Sequence, residues 1–345
     1  MKPILHLDDI IYQLQKTGGV SVYWQEITSR IDRQVNFRID RPPCSAWNRF
    51  FPVKSNADIF HSSYFRITTS RTIKNIITVY DFLYELGFLK RAGVPITILH
   101  KRIAIKAADV IICISENTKK DLLLIYPELA KNKPIYVIPL ATSLSIENQV
   151  NVKAYPRLVS LDSVTQKKYI IFVGSRKPLY KNFKAALMGF AHSELPGLGY
   201  YMICTGSPLT ESEQNLIKKI GLKSKIIVVD YATKEELNYL YKQAFALVYP
   251  SIYEGFGLPP LEAMSCGCPV IVSNTSSLPE VVGDSGIIVD PQNSIDNISS
   301  SLNQLLDDRV REDYINQGLS RSQLFSWDRA ATEHIKIYQS LLQQT

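Results

Sequence analysis

The stretch Tyr249-Pro-Ser-Ile-Tyr-Glu-Gly-Phe-Gly-Leu-Pro-Pro-Leu-Glu-Ala-Met-Ser-Cys-Gly-Cys-Pro-Val270 decides the fold. An apolar run ends at Tyr249, a loop follows with Gly255 and Gly257, and a helix begins near Pro259, because proline is favoured in the first helical turn. Glycines there let backbone N–H groups approach a ligand, and the helix N-terminus favours an anion. Glu254 falls in the loop and Glu262 in the first helical turn. One carboxylate can then hold sugar hydroxyls and the other a ribose, with a diphosphate between them at the helix end. The plainer alternative leaves Glu262 complementing the helix dipole and Glu254 in water.

Outward from this motif, short β-branched runs alternate with helical patterns. They lie at Ile4–Leu7, Val35–Ile39, Asp58–His61, Ile76–Val79, Val110–Ile114 and Ile135–Ile138, then at Tyr169–Val173, Tyr200–Cys204, Ile226–Val229, Ala246–Tyr249, Pro269–Val272 and Gly286–Val289. Continuous apolar runs of this length suit parallel strands buried on both faces. Two such series predict an α/β protein of two doubly wound, Rossmann-like domains facing each other across a cleft. The expected boundaries are 1–150 for the first domain, 151–167 for a linker and 168–326 for the second. The Ser143–Lys168 region, rich in Asn, Pro and Ser, reads as irregular. A last helix, Trp327–Leu342, follows Ser326 as N-cap and is expected to pack back toward the first domain.

With 345 residues, 46% apolar and 21% charged, the chain suits a soluble globular protein. Five scattered cysteines without a Cys-x-x-Cys pair argue against a disulfide framework and fit a cytoplasmic setting. Acid at Asp8 and Asp9 comes too early for a signal peptide, and no apolar run approaches the roughly 20 residues a bilayer requires. Residues 1–150 hold 20 Lys+Arg against 13 Asp+Glu, and the remaining 19 and 19 cancel in the rest. Lys90, Arg91, Lys101, Arg102 and Lys106 are interleaved with Phe88, Leu89, Ile96, Ile98 and Leu99. This stretch is expected either to touch an anionic membrane surface or to form a solvated helix face.

Two further motifs follow predicted strands. Phe172-Val-Gly-Ser-Arg-Lys-Pro-Leu-Tyr-Lys-Asn places Gly174, Arg176 and Lys181 on one loop, and Arg176 with Lys181 suits a diphosphate leaving group whose charge grows as its bond to sugar breaks. Gly18-Gly19, after the first strand, allows close approach to a phosphate or sugar, or is a plain tight turn. It is not a Gly-x-Gly-x-x-Gly fingerprint.

Together with Asp9-Ile-Ile-Tyr-Gln-Leu-Gln-Lys-Thr-Gly-Gly-Val-Ser, Phe60-His-Ser-Ser-Tyr-Phe-Arg, Ile114-Ser-Glu-Asn-Thr-Lys-Lys-Asp-Leu and Glu236-Leu-Asn-Tyr-Leu-Tyr-Lys-Gln-Ala, these strings make the chain resemble the family 4 retaining glycosyltransferases of GT-B fold. Its nearest likeness there is the bacterial mannosyltransferase-like branch of O-antigen and surface-polysaccharide synthesis. The resemblance implies that Arg176 and Lys181 hold the donor diphosphate. It implies that Glu254 contacts the donor sugar with backbone groups of Phe256 and Gly257, and that Glu262 binds the ribose. Asp230 and Tyr231 would lie against the base, and Gly19 would approach the diphosphate from the opposite domain. Where the family has His-Asp after the fourth strand, this chain has Tyr80 and Asp81, and a phenol lacks an imidazole's proton range. His61 is a second strand-end candidate, with a structural hydrogen-bonding role as its alternative.

The expected activity is metal-independent, retaining hexosyl transfer from a nucleotide-diphosphate sugar to a saccharide or lipid-linked saccharide, with no permanently bound cofactor. GDP-mannose is the first donor candidate, then a UDP-sugar or a GDP-6-deoxyhexose. Attack occurs on the face the diphosphate leaves, and the helix N-terminus at Leu258 stabilises the departing charge. Asp8-Asp9 and Asp307-Asp308 are poorly spaced for a divalent ion, and no nucleic-acid partner is expected. The rival readings are a nucleotide-sugar 2-epimerase, a phosphorylase-like enzyme with a lysine-bound cofactor, and a non-catalytic nucleotide-sugar-binding scaffold.

Overall fold

A computed structural model of the chain describes residues 2–343 except Thr17, Gln34, Val35, Arg91, Ala92 and Lys167. Val35 and Arg91, which the sequence places in a strand and in the basic stretch, lie outside the described residues. The chain divides into two compact units, Met1–Ala141 with Phe325–Thr345, and Thr142–Leu324.

The first unit holds a six-stranded parallel sheet of β1 (Ile4–Asp8), β2 (Arg38–Asp40), β3 (Ile59–Ser62), β4 (Lys74–Val79), β5 (Val110–Cys113) and β6 (Ile135–Val137), in the order β2-β1-β3-β4-β5-β6. β3 and β5 are buried at every position, as strands covered on both faces must be. The core around them joins Ile77, Val79, Phe82, Ile105, Ile111 and Leu122, and includes Cys113 as a small apolar side chain. Lys101 departs from the sequence expectation. It is 1% exposed, on the inward side of helix Val94–Ala107, while Arg102 and Lys106 face solvent.

The second unit repeats the plan with β7 (Tyr169–Phe172), β8 (Tyr201–Thr205), β9 (Ile226–Val229), β10 (Leu247–Tyr249), β11 (Val270–Ser273) and β12 (Ile287–Val289), ordered β12-β11-β10-β7-β8-β9. The crossover therefore reverses between β7 and β10, where open α/β sheets leave a crevice beyond their carboxyl ends. All pairings are parallel, for example Leu247 with Ile171 and with Val270. The Ser143–Lys168 region is more regular than its composition suggests, because helix Pro156–Thr165 buries Leu158, Leu161 and Thr165 at one-turn spacing. Its first residue is a proline, a helix start masked by the surrounding polar residues.

The final helix, Trp327–Gln343, buries Trp327, Ala330, Ala331, His334, Ile337, Tyr338 and Leu341 as one stripe within the first unit, against helix Gly19–Ile31. Under it runs a closed polar network. His334 Nδ1 faces the Ala330 carbonyl at 2.7 Å, so it carries the proton, and His334 Nε2 accepts from Tyr23 Oη at 2.8 Å. Thr78 Oγ1 then donates to Tyr23 Oη at 3.2 Å and accepts from His61 Nε2 at 3.0 Å, while Tyr338 Oη donates to His61 Nδ1 at 2.7 Å. Every group is satisfied with both imidazoles neutral. His61 thus has the structural role that was its alternative.

Burial lowers the pKa of His61 well below 6.5, helped by His334, and lowers that of His334 to about 4. As pH falls from 6.5 toward 4, the unfolded chain binds protons that the folded unit refuses, so stability present above pH 6.5 is lost. The expected result is a thermal-unfolding midpoint that drops across this window, with a shallower drop in His334→Asn.

Candidate active site

The loop after β7 turns at Gly174, whose φ of 119° is one a side chain rarely adopts. Gly174 N donates to Thr205 Oγ1 at the end of β8, and a Cβ on Gly206 would stand 3.1 Å from the Gly174 carbonyl oxygen. The loop continues through a 3-10 turn, Leu179–Lys181, to helix Phe183–His192. Ile252 N and Ser251 Oγ both donate to the Tyr180 carbonyl, at 2.7 and 3.2 Å, which ties this turn to the loop after β10.

That tie brings Lys181 to Glu254. Lys181 Nζ donates to Glu254 Oε1 at 2.6 Å and to Tyr249 Oη at 2.8 Å, and Tyr249 Oη donates to Glu254 Oε1 at 2.8 Å. The ammonium also lies 5.4 and 5.2 Å from the ring centroids of Tyr180 and Tyr249. Glu254 N donates to Ser276 Oγ, and Ser277 Oγ donates to the carbonyls of Glu254 and Phe256, so the loop's backbone is held from a third segment. Gly257, at φ 106°, is the left-handed entry to helix Leu258–Ser265, and a Cβ there would meet Leu278 at 2.8 Å. The helix N-terminus thus follows directly on the carboxylate-bearing loop.

Arg176 is not joined to Lys181. Its guanidinium, 6% exposed, donates to the carbonyls of Thr205 (3.3 Å) and Ser207, pairs with Glu213 at 3.5 Å and lies over the Phe183 ring. A planar fork meets two carbonyls and a carboxylate at the base of the β8 loop. It lines an open hollow of ≈ 660 Å³ with Lys177, Asn182, Lys184, Ser212 and Glu213.

Glu262 lies in the second turn of its helix rather than the first, because the helix already begins at Leu258. Tyr241 Oη donates to its Oε2 at 3.2 Å. Loss of hydration dominates and raises its pKa from 4.5 to about 7, against the opposing effects of Tyr241 and Lys234. Between those values the folded chain keeps a proton the unfolded chain has released, so stability falls as pH rises from 4.5 through 7. Glu262→Gln is expected to flatten that decline in thermal scans between about pH 5 and 8.

Asp230 and Tyr231 follow β9, and Tyr231 is 75% exposed at a φ of 31°. Their carbonyls are held by Arg157, which donates to Asp230 O at 2.7 Å and Tyr231 O at 3.4 Å and pairs bidentately with Glu236. Sequence reasoning missed Arg157 because it lies on the helix read as linker. It also missed the hydroxyl of Tyr249, read there only as the end of a strand.

In the first unit Gly19 begins helix Gly19–Ile31, with open space where a Cβ would stand. Tyr80 is buried, donates to the Ser63 carbonyl at 3.1 Å and packs edge-on to Tyr23. Asp81 Oδ1 accepts from Leu83 N at 3.1 Å, and its carbonyl accepts from Lys101 Nζ at 2.8 Å. Both line a cavity of ≈ 400 Å³ with Gln15, Arg49, Tyr64 and His100. Among the described residues, no three His, Cys, Asp or Glu are gathered to hold a metal ion.

Residues 159–321 match the family described as "Glycosyl transferases group 1". Over 179 residues, half of this chain, the sequence is 41% identical to the O-antigen chain mannosyltransferase B of Escherichia coli, and covers 46% of that relative. Among solved structures, sucrose-phosphate synthase of Thermosynechococcus elongatus superposes with a TM-score of 0.76 at 16% identity, covering 100% of both chains. Alr3699/HepE of Anabaena in complex with UDP-glucose gives 0.74 at 14% identity, covering 98% of this chain and 100% of that one. The likenesses show the fold, the GT-B architecture of two Rossmann-like α/β domains. In sequence the chain is related to bacterial O-antigen mannosyltransferases.

Proposed function

We propose that the chain is a glycosyltransferase of the family 4 type, transferring a hexose with retention from a nucleotide-diphosphate sugar to a saccharide or lipid-linked saccharide. The observation that carries this reading is the Lys181–Tyr249–Glu254 cluster beside the helix N-terminus at Leu258, where the second sheet's crossover reverses. The sequence likeness to a mannosyltransferase supports mannose, and hence GDP-mannose as first donor, with UDP-sugars and GDP-6-deoxyhexoses as alternatives. Glu254 with the backbone of Phe256 and Gly257 is assigned to the sugar, Glu262 to the ribose, and Asp230 with Tyr231 to the base. Gly174 leaves room for the diphosphate. Gly19, Tyr80 and Asp81 are the first unit's proposed contributions, Gly19 toward the diphosphate and Tyr80 with Asp81 toward the donor sugar.

In the reaction, the bond between the anomeric carbon and the diphosphate oxygen breaks, and the acceptor oxygen bonds to that carbon on the same face. The acceptor proton passes to the departing oxygen. Lys181 and the helix N-terminus stabilise the growing negative charge without a resident metal. Arg176 joins them by exchanging the Ser207 and Thr205 carbonyls for phosphate oxygens. The test is incubation with GDP-mannose or UDP-glucose and a mannose oligosaccharide acceptor, with the product read by proton NMR. An α-linked product from an α-linked donor supports the reading. A β-linked product overturns retention, and a C2-epimerised donor without transfer overturns the transferase.

We propose further that this is a cytoplasmic protein that docks on an anionic membrane. No helix among the described residues is long and apolar enough to cross one. Helix Val94–Ala107 exposes Ile96 (43%), Leu99 (52%) and Ile103 (42%) along one face, edged by exposed Arg102 and Lys106, and no acidic residue occurs between Leu86 and Ala108. An apolar stripe with a cationic border suits the headgroup region of a bilayer. Replacing Ile96, Leu99 and Ile103 by Asp is expected to weaken co-sedimentation with phosphatidylglycerol vesicles at least about tenfold while leaving the circular dichroism spectrum unchanged. Undiminished binding by the triple variant would remove this face from consideration.

A further inference from the structure

We infer that Tyr249 is a positioning residue of the donor site, holding Lys181 and Glu254 in one fixed arrangement through a single hydroxyl. The inference rests on the donor-site reading above.

Packing alone does not call for a phenol at the end of β10. The strand is Leu-Val-Tyr, buried throughout, and a phenylalanine would fill the same space. Burying a hydroxyl is unfavourable unless it is bonded, and Tyr249, 2% exposed, spends its hydroxyl on two charged groups. The direction of each bond is fixed by chemistry. An ammonium only donates and a carboxylate only accepts, so the hydroxyl proton points to Glu254 and its lone pair to Lys181. Both bonds to the carboxylate, at 2.6 and 2.8 Å, use Oε1. Among the described residues Oε2 takes none, and it is the oxygen left for a sugar hydroxyl. Lys181 likewise uses two of its three N–H donors, and the third is left for a phosphate oxygen. The hydroxyl therefore couples phosphate recognition to sugar recognition. Without it, the ammonium and carboxylate still attract each other but rotate about their own axes, and Oε2 loses its fixed aim.

Tyr249→Phe keeps the ring and removes the coupling. The measurement is calorimetric affinity for GDP-mannose and for GDP, with UDP-glucose and UDP as the second pair, on wild type, Tyr249→Phe, Lys181→Ala, Glu254→Gln and Tyr249→Phe/Glu254→Gln. The expected result is that Tyr249→Phe cuts the preference for the sugar nucleotide over the bare diphosphate by about tenfold, while bare-diphosphate affinity moves by less than about threefold. The double variant should then show no loss of preference beyond that of Glu254→Gln. A merely structural role would lower both affinities together, and an unchanged ratio or an additive double variant overturns the inference. If Lys181→Ala and Glu254→Gln also leave every affinity unchanged, the donor-site reading itself fails and takes the inference with it. An unfolding midpoint for Tyr249→Phe within a few degrees of wild type certifies the comparison.

Discussion

Glu254→Gln is expected to lower turnover by about 100-fold or more and to weaken donor binding by only about tenfold, because the carboxylate, in its proposed role, holds a sugar hydroxyl and acts most strongly on charge that develops as the sugar leaves. The substitution is nearly isosteric. It keeps an acceptor for Lys181 Nζ and Tyr249 Oη, and the backbone bonds from Glu254 N to Ser276 and from Ser277 to the Glu254 carbonyl are untouched. The fold should therefore survive and most of the loss should fall on kcat. A hundredfold loss corresponds to about 2.7 kcal/mol of transition-state stabilisation, the scale of one well-placed polar contact in a site closed to water. Steady-state kinetics on the purified variant checks it. A rise in KM with kcat intact would move Glu254 from the reacting sugar to ground-state binding.

Lys101→Ala destabilises the first unit by about 3–5 kcal/mol, the largest stability effect expected of any single change considered. Lys101 Nζ is buried 2.9 Å from Glu85 Oε2 and 2.8 Å from the Asp81 carbonyl, and lies over the rings of Phe82 at 4.6 Å and Phe65 at 5.4 Å. Its removal strands the Glu85 carboxylate, 5% exposed, with Tyr126 Oη at 3.4 Å as a distant remaining donor. The cost comes from that uncompensated charge rather than from the pair's own attraction. Lys101→Met with Glu85→Leu removes both charges and should recover most of the loss. Denaturant titration of the three forms measures both effects. A single-variant cost below about 1 kcal/mol would show that water reaches the pair.

Lys101 also lies beyond what local sequence signals settle. Most strands, β5 and β7 among them, were placed from short apolar runs, because a parallel strand covered on both faces must be apolar along its length, and that signal is local. In contrast, β2 lies at Arg38–Asp40, with both ends exposed, and only overlaps the run read at Val35–Ile39. The loop motifs after β7 and β10 were legible for the same reason, since they occupy fixed positions after those strands. Whether a lysine in a basic stretch faces water depends on what lies on the other side of its helix. Lys101 reads like Arg102 until Glu85, Phe65 and Phe82 are brought beside it. Arg176 read as a partner of Lys181 because both lie on one loop. The chain turns between them, and carbonyls of a different strand's loop claim the guanidinium. Arg157 and the hydroxyl of Tyr249 act over sequence separations of 73 and 68 residues, a distance no spacing rule spans.

The second unit is proposed to bind a nucleotide-diphosphate sugar through Lys181, Glu254 and Glu262. The most direct measurement is calorimetric titration of the protein with GDP, UDP and ADP, repeated on Lys181→Ala and Glu262→Ala. The expected result is binding of one of the three nucleotides, weakened by both substitutions. Absence of binding by all three, or binding indifferent to both substitutions, would contradict it.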